Sequence, residues 1–202
     1  MPQRVILYID AQNVYRGARD CFGVGGGLAH VQGQIDPMAV ARLICERAPE
    51  GEERAVSQVR VYSGRPESGK QPQAYAAHMR QCAAWERAGV TVITRTLRYF
   101  SDFPSVKPRE KGVDVQLAID FVAGAIDNRY DVGIIFSTDS DLRPALELVA
   151  QRFNGQPRAE SAAWGAPRAN RAIFCADPRT WCHYLTADDY RMVQDTTDYN
   201  KS

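Results

Sequence analysis

Short apolar segments that alternate with helical segments constrain the fold of this chain more than any other feature. The first apolar segment runs from Val5 to Ile9, and a later one runs from Val132 to Phe136. Continuous apolar runs of this length are typical of strands that are buried on both faces of a parallel sheet. Because helical segments separate the strands, the sequence predicts a three-layer α/β/α fold with a central, mostly parallel sheet.

The other element boundaries follow from capping and turn residues. Asp36 and Pro37 are typical of a helix start, with an N-cap and a proline at the first helical position, and Gly89 is typical of a helix end. The remaining predicted strands are 58–62, 90–93 and 172–175. The predicted helices are 13–20, 36–47, 72–88, 112–127 and 141–153, with loops at 22–34, 95–110 and 154–170.

The length of 202 residues suits a single domain, with its core in 4–150 and a C-terminal extension of the same domain in 151–202. The five cysteines are widely spaced and form no Cys-X-X-Cys pair, so we expect reduced thiols. No signal peptide or apolar run of membrane-spanning length is evident, and we expect a cytoplasmic protein without a membrane partner. A net charge of +1 neither favours nor excludes a polyanionic partner.

Acidic residues follow two of the predicted strands directly. Asp10 follows the first strand, and Asp139 and Asp141 come just after the strand at 132–136. In an open parallel sheet, ligands bind at the carboxyl ends of the strands, where the strand order reverses. If these two strands are neighbours, three carboxylates meet at one edge of the sheet.

Asp114 is expected to join these acids because it lies on the apolar side of its helix. At about 100° per residue, Ala118 and Ala125 fall within roughly 40° of Asp114, whereas Gln116 and Asp120 fall on the polar side. A carboxylate on an inward face needs a cation, a hydrogen-bond donor or water. A metal ion shared with the strand-end acids would meet that need.

Clustered carboxylates suit Mg²⁺ or Mn²⁺, which prefer oxygen ligands. Such a site could lower the pKa of a bound water and stabilise charge on a phosphodiester. Asn13, one helical turn beyond Asp10, could orient a water or a phosphate oxygen. Structural alternatives stay open for each acid. Asp10, Asp139 or Asp141 could cap a helix, and Asp114 could interact with a helix dipole.

Three motifs together resemble a known family. They are Asp10-Ala11-Gln12-Asn13 after a strand, Lys111-Gly112-Val113-Asp114-Val115 at a helix start, and Ser137-Thr138-Asp139-Ser140-Asp141-Leu142 after another strand. Their order and spacing resemble the NYN domain, in the LabA-like branch of the PIN-like nucleases, over residues 4–150.

This resemblance implies a PIN-like fold and a ribonuclease site that depends on Mg²⁺ or Mn²⁺. The family's acidic positions fall on Asp10, Asp114, Asp139 and Asp141, and its polar position falls on Asn13. The sequence departs from the family at Ala11 and Thr138, where glycine is frequent. Both departures add a side chain beside the expected site.

Residues 95–111 combine basic and aromatic side chains immediately before Asp114. Single-stranded nucleic acid is bound by such mixtures, because cations contact phosphates and rings stack on bases. The alternative is a solvated loop whose aromatic side chains pack into the core. The candidates for phosphate or nucleic-acid binding are Arg95, Arg98, Tyr99, Lys107, Arg109 and Lys111. A second basic stretch, 152–171 around Trp164, could form a lid over the site.

The leading hypothesis is a metal-dependent endoribonuclease that acts on single-stranded or structured RNA. Its predicted catalytic residues are Asp10, Asn13, Asp114, Asp139 and Asp141, and the four aspartates are the predicted metal ligands. Two alternatives stay open: a non-catalytic module that binds RNA or protein, and a metal-dependent phosphatase or nucleotidase. A basic, aromatic groove would favour a polymer, and a closed pocket a small substrate. An exposed apolar helix face would support a homo-oligomer.

Overall fold

Parallel strands form the centre of the protein, which a computed structural model describes over residues 1–23, 29–153, 155–165 and 172–201. The strands are β1 (Gln3–Asp10), β2 (Arg54–Arg65), β3 (Thr91–Thr96), β4 (Val132–Phe136), β5 (Arg158–Trp164) and β6 (Cys182–Leu185). They form a 6-stranded sheet in the order β3-β2-β1-β4-β5-β6, and every pair is parallel. The strand order therefore reverses between β1 and β4.

Helices cover both faces of this sheet. They are α1 (Ala11–Phe22), α2 (Pro37–Glu46), α3 (Pro72–Arg87), α4 (Val113–Ile126), α5 (Arg143–Arg152) and α6 (Ala187–Val193), with a short 3₁₀ turn at Ser140–Leu142. One hydrophobic core contains side chains of α1, α2 and α6, and the other contains side chains of α4 and α5. The predicted three-layer α/β/α fold is confirmed.

The central strand β1 contributes to both cores. Val5 and Leu7 pack on the side of α1 and α2, whereas Ile6 and Tyr8 pack on the side of α4 and α5. Because both faces of β1 are buried, its sequence is a continuous apolar run rather than an alternating one. This pattern is why β1 could be predicted from the sequence.

The prediction of a fifth strand at 172–175 is wrong. Strand β5 instead occupies 158–164, inside the region predicted as a loop, and residues 172–175 lie outside the sheet. Ile173 and Cys175 are nevertheless buried, and the carbonyl of Ile173 accepts a hydrogen bond of 2.7 Å from the Ser161 hydroxyl. Three alanines and the buried polar residues Glu160 and Ser161 give β5 a weak apolar signal.

A buried ionic network crosses the sheet and explains the glutamate in β5. The Arg54 guanidinium, in β2, donates two hydrogen bonds of 2.8 and 2.9 Å to the Glu160 carboxylate. His183 Nε2, in β6, lies 2.8 Å from the same carboxylate. Burial alone would raise the pKa of Glu160, but the hydrogen bonds from His183 and Arg54 outweigh burial and lower it.

Helix α4 buries Phe121 and Ala125 on the side predicted to be apolar, but Asp120, which was predicted on the polar side, is also partly buried. Asp120 points toward β2, where its carboxylate accepts hydrogen bonds of 2.8 Å from Arg60 and 2.9 Å from the Tyr62 hydroxyl. The side chains that face solvent include Val115, Ile119 and Ile126. An exposed apolar helix face of this kind would support a homo-oligomer, and the homo-oligomer stays a prediction. In the described ranges, no helix is long and apolar enough to span a bilayer.

We expect Glu160→Gln to destabilise the protein by roughly 3–5 kcal/mol, because it removes the more deeply buried of the two carboxylates, Glu160 and Glu52, that pair with the buried Arg54 guanidinium. The free energy of unfolding at neutral pH, measured by chemical denaturation, tests this. The stabilisation from Glu160 is present above the pKa of the unfolded carboxyl and is lost as the pH falls through the lowered folded pKa. Glu53→Gln is the matched control because Glu53 is exposed. An equal loss of unfolding free energy in both variants would contradict the stabilising role of the ionic network.

Candidate active site

The reversal of strand order brings together the segments that follow β1 and β4. Ile9 pairs in register with Phe136, so Asp10 and Ser137 are the next residues on two neighbouring strands. The Ser137 hydroxyl donates a hydrogen bond of 3.1 Å to Oδ2 of Asp10. The predicted acidic site required two neighbouring strands that are both followed by acidic residues. Strands β1 and β4 meet this requirement.

Asp10 both caps a helix and lines the site. Its Oδ1 accepts a 3.1 Å hydrogen bond from the backbone N–H of Asn13, which caps α1, and the residue is only 8% exposed. Burial raises the pKa of the Asp10 carboxyl, and the charges of Asp139 and Asp114 add to this rise. Hydrogen bonds from Asn13 and Ser137 offset it only in part. Asp10 is therefore a helix cap whose charge is also costly in the folded protein.

A cleft of about 580 Å³ opens between the start of α1 and the start of α4. We call it the acidic cleft; its walls include four of the five predicted catalytic residues, Asp10, Asn13, Asp114 and Asp139. Asp141 does not line the cleft and is exposed. The backbone N–H of Asp141 donates a 3.0 Å hydrogen bond to Asp139 Oδ1, so Asp139 caps the 3₁₀ turn.

Asn13 connects α1 to the segment after β4. Its side-chain carbonyl accepts a 2.9 Å hydrogen bond from the Thr138 backbone N–H and one of 3.1 Å from the Thr138 hydroxyl. The Thr138 side chain, one of the two departures from the family pattern, thus contributes a contact within the site. This contact fixes the position of the segment that carries Asp139.

Asp10, Asp114 and Asp139 differ from the partly or fully buried acids Asp120 and Glu160 in having no arginine partner among the described residues. Asp120 pairs with Arg60, and Glu160 pairs with Arg54. Within the described part of the chain, no ion pair involves Asp10, Asp114 or Asp139. These oxygen donors are the ligands that a hard divalent cation prefers.

The carboxylates are spread around the wall of the acidic cleft rather than gathered at one point. As the side chains lie, no group of three or more His, Cys, Asp or Glu residues in the described segments is close enough to hold a metal ion. Mg²⁺ commonly takes one or two carboxylates directly and keeps several waters. The donor set therefore fits a hydrated ion better than a cage of protein ligands.

Four polar residues of the acidic cleft were not identified from the sequence: Gln12, Arg16, Asp20 and Glu110. Arg16 and Asp20 lie three and seven positions beyond Asn13 on α1, and this spacing places all three side chains on one face of the helix. That signal was available in the sequence. Arg16 and Arg109 are the arginines that line the acidic cleft.

The basic segment 95–111 contributes to the acidic cleft only at its end. Of the six residues predicted there, Arg109 lines the cleft, whereas Lys111 is exposed outside it. The Phe100 ring lies near two guanidinium groups, at 5.3 Å from Arg98 and 6.0 Å from Arg109. Backbone hydrogen bonds between Arg98 and Arg109 close the segment into a loop.

The remaining residues of this segment have structural contacts or lie on its surface. The Tyr99 hydroxyl donates a 2.8 Å hydrogen bond to Gln71, and the Lys70 ammonium lies 4.5 Å from the centre of the Tyr99 ring. Arg95 donates a 2.8 Å hydrogen bond to Gln116, and Lys107 is exposed. The half-buried Tyr99 supports the alternative in which the aromatic residues pack against the protein.

The second basic stretch, 152–171, is not a lid in its described part. Trp164 is buried in the core, and Arg158 forms a salt bridge of 2.6 Å with Glu52. Both belong to β5, whose burial excludes a mobile cover built from them. Arg168 and Arg171 lie outside the described residues.

Comparison with known proteins identifies the family. The NYN domain family model matches residues 4–154. The chain belongs to the NYN domain family. NYN domains are part of the PIN-like nuclease superfamily, whose members typically use divalent metals.

A solved protein of unknown function from Vibrio parahaemolyticus has a similar structure to this NYN domain. It is 19% identical, the match covers 93% of this chain and 95% of that chain, and the TM-score is 0.56. At this identity, the likeness shows a shared fold. A search of curated proteins gave no match.

We expect Mn²⁺ to stabilise the NYN domain against unfolding, because an ion that binds the cleft carboxylates binds the folded state selectively. At about 100 times its dissociation constant, a ligand adds roughly 2.7 kcal/mol to the free energy of unfolding. Thermal denaturation with and without EDTA measures this for the wild type and for Asp10→Asn. Equal stabilisation of both proteins would place the ion outside the acidic cleft.

Proposed function

We propose that this NYN domain, assigned on its motifs to the LabA-like branch, is a divalent-metal-dependent ribonuclease that hydrolyses phosphodiester bonds in the acidic cleft. The observation that carries the proposal is the contrast between the acids of the molecule. Asp10, Asp114 and Asp139 line the cleft where the strand order reverses, and none of their carboxylates has an arginine partner in the described structure.

In this proposal, Asp10, Asp114 and Asp139 would hold a hydrated Mg²⁺ or Mn²⁺, one or two of the carboxylates by direct contact and the rest through the waters of the ion. A divalent cation supplies Lewis-acid chemistry here, with positive charge that stabilises the phosphodiester transition state and acidification of water. Asp141 does not line the cleft, so its role as a ligand is supported by the motif alone. Asn13 positions the segment of Asp139 through its hydrogen bonds to Thr138.

Arg16 and Arg109 are the residues of the cleft that we assign to phosphate binding. They lie on opposite walls, one on α1 and the other on the loop before α4, and both are exposed. A guanidinium matches the geometry of phosphate oxygens and stays charged at every physiological pH. The strand of RNA would continue from Arg109 along the exposed basic residues Arg98 and Lys107.

We expect Asp114→Asn to reduce RNA cleavage by roughly 10²–10³-fold, because it removes charge from the group that stabilises the transition state. The assay compares single-stranded RNA, structured RNA and DNA oligonucleotides in Mn²⁺, Mg²⁺ or EDTA. Asp127→Asn is the matched control, because Asp127 follows the opposite end of the same helix and is exposed.

Each outcome of this assay separates the candidate functions. Cleavage that needs metal and Asp114 supports the ribonuclease. RNA binding without cleavage by the wild type would replace it with a non-catalytic RNA-binding module. Hydrolysis of mononucleotides without cleavage of oligonucleotides would replace it with a phosphatase or nucleotidase.

Arg16→Ala is expected to weaken RNA binding and to make it less sensitive to salt. Loss of one phosphate contact reduces the slope of log affinity against log salt concentration by about 0.7 for a single strand. Affinities are measured in EDTA, so that cleavage does not interfere. Arg42→Ala, at an exposed position on α2, is the control, and an identical loss of slope in both variants would contradict the assignment.

A further inference from the structure

A second cavity of about 440 Å³ lies beside the acidic cleft and differs from it in chemistry. We call it the neutral pocket. Apolar side chains from the sheet and the surrounding segments, including Ile9, Ile35 and Val61, line it together with the rings of His78 and Trp85. Gln12 and Glu110 line both the neutral pocket and the acidic cleft, so the two compartments are neighbours.

Two buried polar groups of this pocket have no hydrogen-bond partner in the described residues. They are the indole Nε1 of Trp85 and the amide Oε1 of Gln34, and Trp85 is only 8% exposed. In contrast, the indole Nε1 of Trp164 donates a 2.9 Å hydrogen bond to the Val14 carbonyl. Because an unpaired buried donor or acceptor is costly, an occupant that reaches these atoms would gain by offering an acceptor to the indole and a donor to the amide.

The pocket lining offers little to attract an anionic group. Among the described residues, no lysine or arginine lines it, and its histidines are His30 and His78. Burial and, to a smaller extent, the charge of Arg65 lower the pKa of His78 to about 4, so His78 is neutral at neutral pH. Glu110 is the carboxyl group of the lining, and it would repel a phosphate. The chemistry therefore favours a neutral group over a phosphate.

The C-terminal segment forms part of the pocket wall. Tyr199 and Asn200 line the pocket, and the Tyr199 carbonyl accepts a 2.8 Å hydrogen bond from Arg80. Asp198 lies 2.6 Å from the ring of His30, another residue of the lining. Asp198, Tyr199 and Asn200 lie outside the region that the family model matches, which ends at residue 154. The pocket of this chain thus depends on a segment beyond the matched domain.

We propose that the neutral pocket binds an unpaired base of the RNA whose backbone lies in the acidic cleft. A nucleobase is flat and neutral, and its edge carries both donors and acceptors, which could pair with the Trp85 indole N–H and the Gln34 amide oxygen. Proteins commonly bind single-stranded RNA by placing splayed bases against aromatic rings. Since the two compartments adjoin at Gln12 and Glu110, a base in the neutral pocket would keep its own phosphate beside the acidic cleft. The inference extends the proposed ribonuclease function to the recognition of its substrate.

The first test uses nucleosides, which carry a base but no phosphate. We expect at least one of adenosine, guanosine, cytidine and uridine to bind the wild-type protein in calorimetric titrations in EDTA. Trp85→Phe removes the indole N–H and should weaken this binding roughly three- to tenfold. Trp181→Phe is the matched control and should not change the affinity, because Trp181 is exposed and lies outside the pocket.

A second variant tests the pocket while Trp85 stays in place. Ala77 is a half-buried residue of α3 that lines the pocket, so Ala77→Phe should fill the space and abolish nucleoside binding. Thermal denaturation of both variants shows whether they are folded. Nucleosides that fail to bind the wild type, or that bind both folded variants as tightly as the wild type, would overturn the proposal.

An RNA measurement then connects the pocket to the strand. In EDTA, replacing one nucleotide of a short single-stranded RNA by an abasic nucleotide should weaken binding at one position and not at the others. Equal affinity for every abasic position would overturn the proposal. Nucleoside binding without RNA cleavage would reject the ribonuclease and keep the pocket, whereas cleavage without nucleoside binding would reject the pocket alone.

Discussion

The parallel pairing of β1 with β4 is the constraint on which the rest of the structure depends. The strand order reverses at this pair, so the chain leaves β1 toward α1 on one face and leaves β4 toward α5 on the other. Divergence of the two connections opens a crevice at the carboxyl ends of the strands. Helix α4, on the face of α5, supplies the second wall, and this is how Asp114 faces the start of α1.

The acids of this fold form two groups, which differ in whether an arginine neutralises the carboxylate. Glu160 and Asp120 are neutralised by arginines of β2, and their networks connect strands and helices that are distant in sequence. Asp10, in contrast, is held by a backbone N–H and a hydroxyl, and its pKa is raised by burial and by neighbouring acids. A folded protein that keeps such a carboxyl gives up stability, a cost that is common at functional sites.

The sequence predicted those features that depend on local patterns, and it missed those that depend on distant partners. Strand β1 and the position of Asp10 follow from an apolar run and the acid that ends it. Strand β5 escaped prediction because Glu160 looks like a loop residue until Arg54, a residue of β2, is known to reach it. The neutral pocket was missed for the same reason, since residues as far apart as Ile9 and Tyr199 form its wall.

The two neighbouring compartments would allow the proposed ribonuclease to bind the phosphate and the base of a nucleotide in separate environments. An RNA nucleotide joins a charged, strongly hydrated phosphate to a weakly hydrated, flat base, and no single environment suits both. The acidic cleft offers carboxylates for a cation and arginines for phosphate oxygens, whereas the neutral pocket offers apolar walls with one buried donor and one buried acceptor. Because Gln12 and Glu110 belong to both walls, a base seated in the pocket would fix the distance of its phosphate from Asp10, and recognition would thereby position the bond to be cleaved.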